Sequence, residues 1–126
     1  MRKLPKSRSL PFASFQFVPR YVRAEICNGC GGKGGWFRPI QWWDISKDCD
    51  AHDYAYYCGG TSRDRKNADL DLRDAILRRC DSAPFYKRWY YKAQARLYYR
   101  AVRLFGGKYF FRRPTPLTLT QAIGLV

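Results

Sequence analysis

Three stretches of this chain mix apolar and polar positions in a way that reads as helix, and glycine pairs mark where two of them end. Residues 44–58, DISKDCDAHDYAYYC, predict a helix with Asp44 or Ser46 placed to cap its start and Gly59-Gly60 to stop it. Thr61, with Asp64 three positions on, reads as a capping box that opens a second helix running to about Arg79. Leu70, Leu72, Ala75, Ile76 and Leu77 are its apolar positions. The short link predicts that these two helices lie antiparallel and packed. A third helix is expected from about Tyr86 to Phe105. Its Trp89, Tyr90, Ala93, Leu97, Tyr98, Ala101, Val102 and Phe105 follow i, i+3/i+4 spacing. Lys87, Arg88, Lys92, Arg96, Arg100 and Arg103 fill much of the rest, so the helix is both basic and aromatic.

The flanks read differently. Residues 1–24 form a basic arm in which Pro5, Pro11 and Pro19 break any long helix, as in a disordered or loosely docked tail. Residues 25–40, EICNGCGGKGGWFRPI, carry Gly29, Gly31, Gly32, Gly34 and Gly35 within seven positions. That density excludes a regular helix and suits a backbone with positive φ values that turns carbonyls or amides toward a ligand. Beyond Pro114 the sequence is apolar but short. The expected class is mainly α, in one domain over residues 25–110, with an arm (1–24) before it and a tail (111–126) after it.

Charge changes the picture. The 126 residues hold 24 Lys and Arg against 10 Asp and Glu, a formal net charge of +14. Such an excess concerns partners rather than fold, and it points to a polyanion: nucleic acid, or a membrane rich in acidic lipid. There are five cysteines, an odd count that leaves one thiol free or paired between chains. The first twenty residues contain no apolar run of about 7 to 15 residues, so no secretory leader is expected and synthesis is placed in the cytoplasm. No window reaches the roughly 18 apolar residues of a membrane-spanning helix.

His52 is the only histidine, hence the one side chain that ordinarily titrates near neutrality. Asp53 follows it, and successive side chains on a helix diverge by about 100°. Tyr56 lies four residues on, over the same face as His52. Asp69 on the next helix can meet both if the helices are antiparallel. A carboxylate on one imidazole nitrogen fixes the tautomer and leaves the other nitrogen as a base. Asp71 is the alternative partner, projecting from the other side of that helix. Glycine-loop carbonyls together with the Asp53 carboxylate make an all-oxygen shell, which suits Ca²⁺.

The order of these features resembles the phospholipase A2 superfamily. Cys49-Asp50-Ala51-His52-Asp53-Tyr54-Ala55-Tyr56 is similar to its active-site helix, and Cys30-Gly31-Gly32-Lys33-Gly34-Gly35 to its calcium loop. The segment GGTSRDRKNADLDL resembles the compact bacterial and viral members, phage- or parvovirus-like. The resemblance covers roughly residues 25–80 and makes 25–110 a phospholipase A2-like domain. It implies His52 as base, Asp69 as dyad partner ahead of Asp71, and Tyr56 as support. It further implies Ca²⁺ on Asp53 and on the carbonyls of Cys30, Gly32 and Gly34, with Gly31 and Lys33 as an alternative register. A Cys30–Cys49 disulfide, hydrolysis of a glycerophospholipid at the sn-2 ester and work at an anionic membrane surface follow from it too. Action after release, or as part of a phage or virus particle, fits the expectation that no secretory leader is present. The chain departs from secreted animal members in having Asp48 before Cys49 and in lacking their many disulfides.

A rival pattern overlaps the first. Cys27-x-x-Cys30 followed by Cys49-x-x-His52 is a zinc-ligand spacing. With the basic, aromatic composition it would suggest a nucleic-acid-binding module, or a virion structural protein touching genome or capsid. It leaves Asp53, Tyr56, Asp69 and the clustered glycines without a role. The third helix likewise has two readings: a core helix with solvated charges, or a surface that docks on anionic lipid.

Overall fold

The computed structural model describes residues 8–26 and 46–125. These residues are mainly helical, with six α-helices, three short 3₁₀ turns and no strand among them. Helices α1 (Leu10–Ser14) and α2 (Arg20–Ile26) pack on α3 (Ser46–Cys58). Helix α3 packs on α4 (Ser62–Cys80), which packs in turn on α5 (Arg88–Phe105). A short α6 (Leu119–Gly124) follows.

The link between α3 and α4 shows how local chemistry sets the path of the chain. Gly59 and Gly60 have φ of 69° and 128°, which side-chain-bearing residues rarely adopt. A Cβ on Gly59 would run into the Phe111 carbonyl oxygen. Gly60 N donates to that oxygen at 3.1 Å, and Arg113 N donates to Gly60 O at 2.9 Å, so the link is also clamped to the segment after α5. Thr61 then caps α4 in a reciprocal box: its hydroxyl accepts from Asp64 N, and the Asp64 carboxylate accepts from Thr61 N at 2.8 Å. Arg78 and Arg79 fill the last turn of α4, where cations complement the exposed carbonyls. The Asp44 end of the expected capping choice for α3 lies outside the described residues.

The core corrects the reading of the flanks. Phe15, Val18 and Val22 are buried in one cluster with Ala51, Tyr54 and Cys58 of α3 and Ala122 of α6. Residues 8–24 are therefore docked short helical pieces rather than a loose arm, and the boundary drawn at residue 24 falls inside α2. No long helix forms here, as the prolines predict, but Pro11 and Pro19 also serve as helix starters. Pro11 sits in the first turn of α1, where no amide partner is lost. Pro19 O accepts from Val22 N and Arg23 N at the start of α2. The tail is also structured: a Thr118–Gln121 capping box opens α6, and Leu117, Leu119 and Ile123 pack on the same cluster.

Helix α5 keeps its expected span but divides its apolar positions. Ala95, Tyr98, Ala101 and Val102 are buried with Gln94, while Trp89, Leu97 and Phe105 are exposed. Cys49, Leu72 and Ile76 join Ala95, Tyr98 and Val102 in a second cluster, and Ala55, Tyr56, Ala68 and Phe110 form a third.

Gly59→Ala is expected to lower stability by about 1–3 kcal/mol, through the left-handed backbone and the collision with Phe111. Denaturant unfolding with an unchanged midpoint would show that the link tolerates a side chain.

Candidate active site

The third cluster surrounds the polar group on which the site depends. Asp69 on α4 has no exposure to solvent. A carboxylate so placed needs donors, and three reach it. His52 Nε2 lies 2.6 Å from Asp69 Oδ1, and Tyr56 Oη donates to the same oxygen at 2.6 Å. Arg103 Nη1, arriving from α5, donates to Oδ2 at 2.7 Å. Three helices thus converge on one side chain.

The supports are equally specific. His52 and Tyr56 lie on one face of α3, with ring centroids 4.2 Å apart and planes tilted by 44°. Phe110 meets the Tyr56 ring edge-on at 5.2 Å. Arg65 Nε donates to Tyr56 Oη at 3.2 Å, and its Nη2 donates to the carbonyls of Val102 at 2.7 Å and Arg103 at 3.0 Å. It ties the end of α5 to the tyrosine. A Cβ on Gly106 would stand 2.8 Å from Tyr56 Oη, so glycine there leaves room for the hydroxyl.

Electrostatics follow from these contacts. Burial alone pushes the Asp69 carboxyl up. The hydrogen bond and charge of His52, with the bonds from Tyr56 and Arg103, outweigh burial and hold it below the ordinary carboxylate value. Burial first, then the neighbouring Asp69 charge, raises the Tyr56 hydroxyl, which stays a protonated donor. An ionised carboxylate only accepts, so the neutral imidazole carries its proton on Nε2 and keeps a lone pair on Nδ1. That arrangement prepares a general base.

The structure brings together His52, Asp69 and Tyr56 as the sequence led us to expect, and it separates Asp71 from them. Asp71 accepts from Arg8 N at 2.9 Å and Ser9 N at 2.8 Å, fastening the entry to α1. Arg103 and Arg65 were not anticipated as site residues. Helical spacing puts Arg103 among six basic side chains of the 86–105 stretch with nothing to single it out. The usable signal is that a buried dyad carboxylate calls for a cation on the neighbouring helix.

Asp53 is half-buried on α3, beside His52 in sequence and rotated from it by about 100°. The other expected calcium donors, Cys30, Gly32 and Gly34, lie outside the described residues, as do Gly31, Lys33 and Cys27. Among the described residues no three His, Cys, Asp or Glu converge as a metal-binding group. One carboxylate with backbone carbonyls is nonetheless a donor set that suits a hard cation such as Ca²⁺. Cys49 is held in a disulfide. The Cys30 end of the expected Cys30–Cys49 bridge lies outside the described residues. Cys58 is a free, buried thiol whose pKa burial pushes up to about 11, which leaves it unreactive at neutral pH.

Comparison of the chain with family models, with curated proteins and with solved structures gives no match.

Because ionised Asp69 is favoured by folding, its contribution to stability is complete above about pH 4 and is lost as pH falls through its lowered folded value. Arg103→Ala removes one stabilising donor. The acid-unfolding midpoint should move to higher pH, with about 1–3 kcal/mol lost at neutral pH. An acid transition that stays where it was would mean that Arg103 does not sustain the charge on Asp69.

Proposed function

We propose that this chain is a calcium-dependent hydrolase of glycerophospholipid esters, similar to phospholipase A2, with α3 and α4 as an antiparallel active-site pair. The observation that carries the reading is the buried His52–Asp69–Tyr56 constellation, which engages Nε2 and leaves Nδ1 without a hydrogen-bond partner among the described residues. In this mechanism Nδ1 takes a proton from water while the water oxygen attacks the ester carbonyl, at the sn-2 position by the family likeness. Asp69 stabilises the imidazolium that forms, and Tyr56 and Arg103 keep the carboxylate aimed. The imidazolium then returns its proton to the departing alkoxide as the carbon–oxygen bond breaks. The products are a fatty acid and a lysophospholipid. Asp53 and the carbonyls of Cys30, Gly32 and Gly34 would hold Ca²⁺, which supplies positive charge to the carbonyl oxygen as it becomes an oxyanion.

One observation weighs against the zinc-binding alternative: a sulfur in a disulfide offers no thiolate, and Cys49 is so bonded. No observation favours the virion structural role over catalysis.

Phospholipid vesicles incubated with the protein should release fatty acid in calcium and not in chelator. His52→Ala is expected to lower turnover about 10²–10⁴-fold, the usual contribution of a positioned base. Asp53→Ala should lose calcium-stimulated turnover while keeping the fold. Wild-type turnover in either variant would contradict the site assignment.

A further inference from the structure

Helix α5 presents to solvent a face that the dyad does not use. At 100° per residue, Trp89, Ala93, Leu97 and Leu104 fall within about 80° of one another. Lys92, Arg96 and Arg100 fill an adjoining, partly overlapping sector. Both stripes are open: Trp89 is 70% exposed and Leu104 74%, and the three basic residues are exposed as well. The buried side of the helix, Ala95, Tyr98, Ala101 and Val102, is the opposite one. At its N-terminal end, Tyr86, Lys87, Trp89, Tyr90 and Tyr91 line a cleft of about 320 Å³. Phe85 just before it is 81% exposed.

Charge narrows what can cover this face. Residues 82–126 contain nine Lys and Arg and no Asp or Glu. A second copy of the same face would bring like charges together, which opposes self-association. A polyanion fits. Exposed leucines at helical spacing neither neutralise phosphates nor stack on bases, whereas a bilayer interface buries aliphatic side chains and seats Trp and Tyr at headgroup level. None of the described helices is long and apolar enough to cross a membrane, so the helix lies on a bilayer rather than through it.

We infer that the outer face of α5, with Phe85 and Trp89 at one end and Leu104 at the other, docks the protein in the plane of an anionic lipid bilayer. The choice of lipid over other polyanions rests partly on the proposed hydrolase reading. The same helix carries Arg103, which holds Asp69, one residue from the end of the apolar stripe. Docking therefore brings the helix that positions the dyad onto the surface where its substrate would lie.

The test is sedimentation of the full-length chain with vesicles of phosphatidylcholine alone, or mixed with phosphatidylglycerol. The His52→Ala variant runs in parallel, so that binding is scored independently of hydrolysis. The mixed vesicles should retain wild type and His52→Ala equally, at least about tenfold more strongly than neutral vesicles. Arg96→Gln with Arg100→Gln should weaken this about 25-fold, or fivefold per charge. Trp89→Ser with Leu104→Ser should weaken it by about tenfold or more while helicity and the melting midpoint stay unchanged, since both side chains are exposed. Equal binding to both vesicle types, or full retention of the Trp89/Leu104 variant, would overturn the inference. So would retention on an oligonucleotide stronger than on the mixed vesicles and unaffected by the serine substitutions, which would give the face to nucleic acid. Loss of hydrolysis with vesicle binding intact would instead count against the catalytic reading alone.

Discussion

A carboxylate removed from water must be met by donors on every side or give up its charge, and Asp69 is met from three helices. His52 and Tyr56 come from α3, Arg103 from α5, and the carboxylate itself from α4. The requirement fixes more than one side chain. It sets the face that α3 turns toward α4, the tautomer of the imidazole, and the place where the C-terminal end of α5 comes to rest. A buried ion pair is weak evidence for stability, because desolvation offsets much of the attraction. Its use here is orientation. Replacing the set with apolar residues would preserve a core and lose the fixed imidazole, on which the proposed catalysis rests.

Much of the surrounding structure serves that arrangement. The two left-handed glycines let α3 end and α4 begin within a few residues, which keeps Tyr56 and Asp69 close in space. The capping box commits the chain to α4 at once. Arg65 bridges the Tyr56 hydroxyl and the last carbonyls of α5, and Gly106 leaves space for that hydroxyl. Asp71, two residues from the dyad carboxylate, faces away and secures the start of α1 through backbone amides. Alternate residues of one helix thus hold the site and the N-terminal packing.

The legible parts were those governed by local rules. Helix spans, the glycine stop, the capping box and the shared face of His52 and Tyr56 depend on residues within a turn or two, and each matches the structure. The choice of Asp69 over Asp71 needed the packing of two helices, which spacing alone leaves open. In the N-terminal segment the prolines do prevent a long helix, as expected, but Pro11 and Pro19 also stand at the starts of two short ones; the burial of Phe15, Val18 and Val22 depends on α3 and α6, which local spacing does not show. Arg103 was illegible because a long basic side chain reads the same whether it is solvated or reaches back to a buried carboxylate. The division of α5 into a buried side and an exposed apolar stripe was hidden for a similar reason. Periodicity identifies apolar positions, but only the position of α4 tells which of them are covered.

The solitary histidine makes the central claim directly measurable. In ¹⁵N-labelled protein at a pH where the imidazole is neutral, His52 gives the only histidine ring signals. Proton on Nε2, a lone-pair Nδ1, and loss of that fixed tautomer in Asp69→Asn are the results expected from a carboxylate-aimed base. A ring protonated on Nδ1, or one averaging between tautomers alike in both proteins, would contradict it.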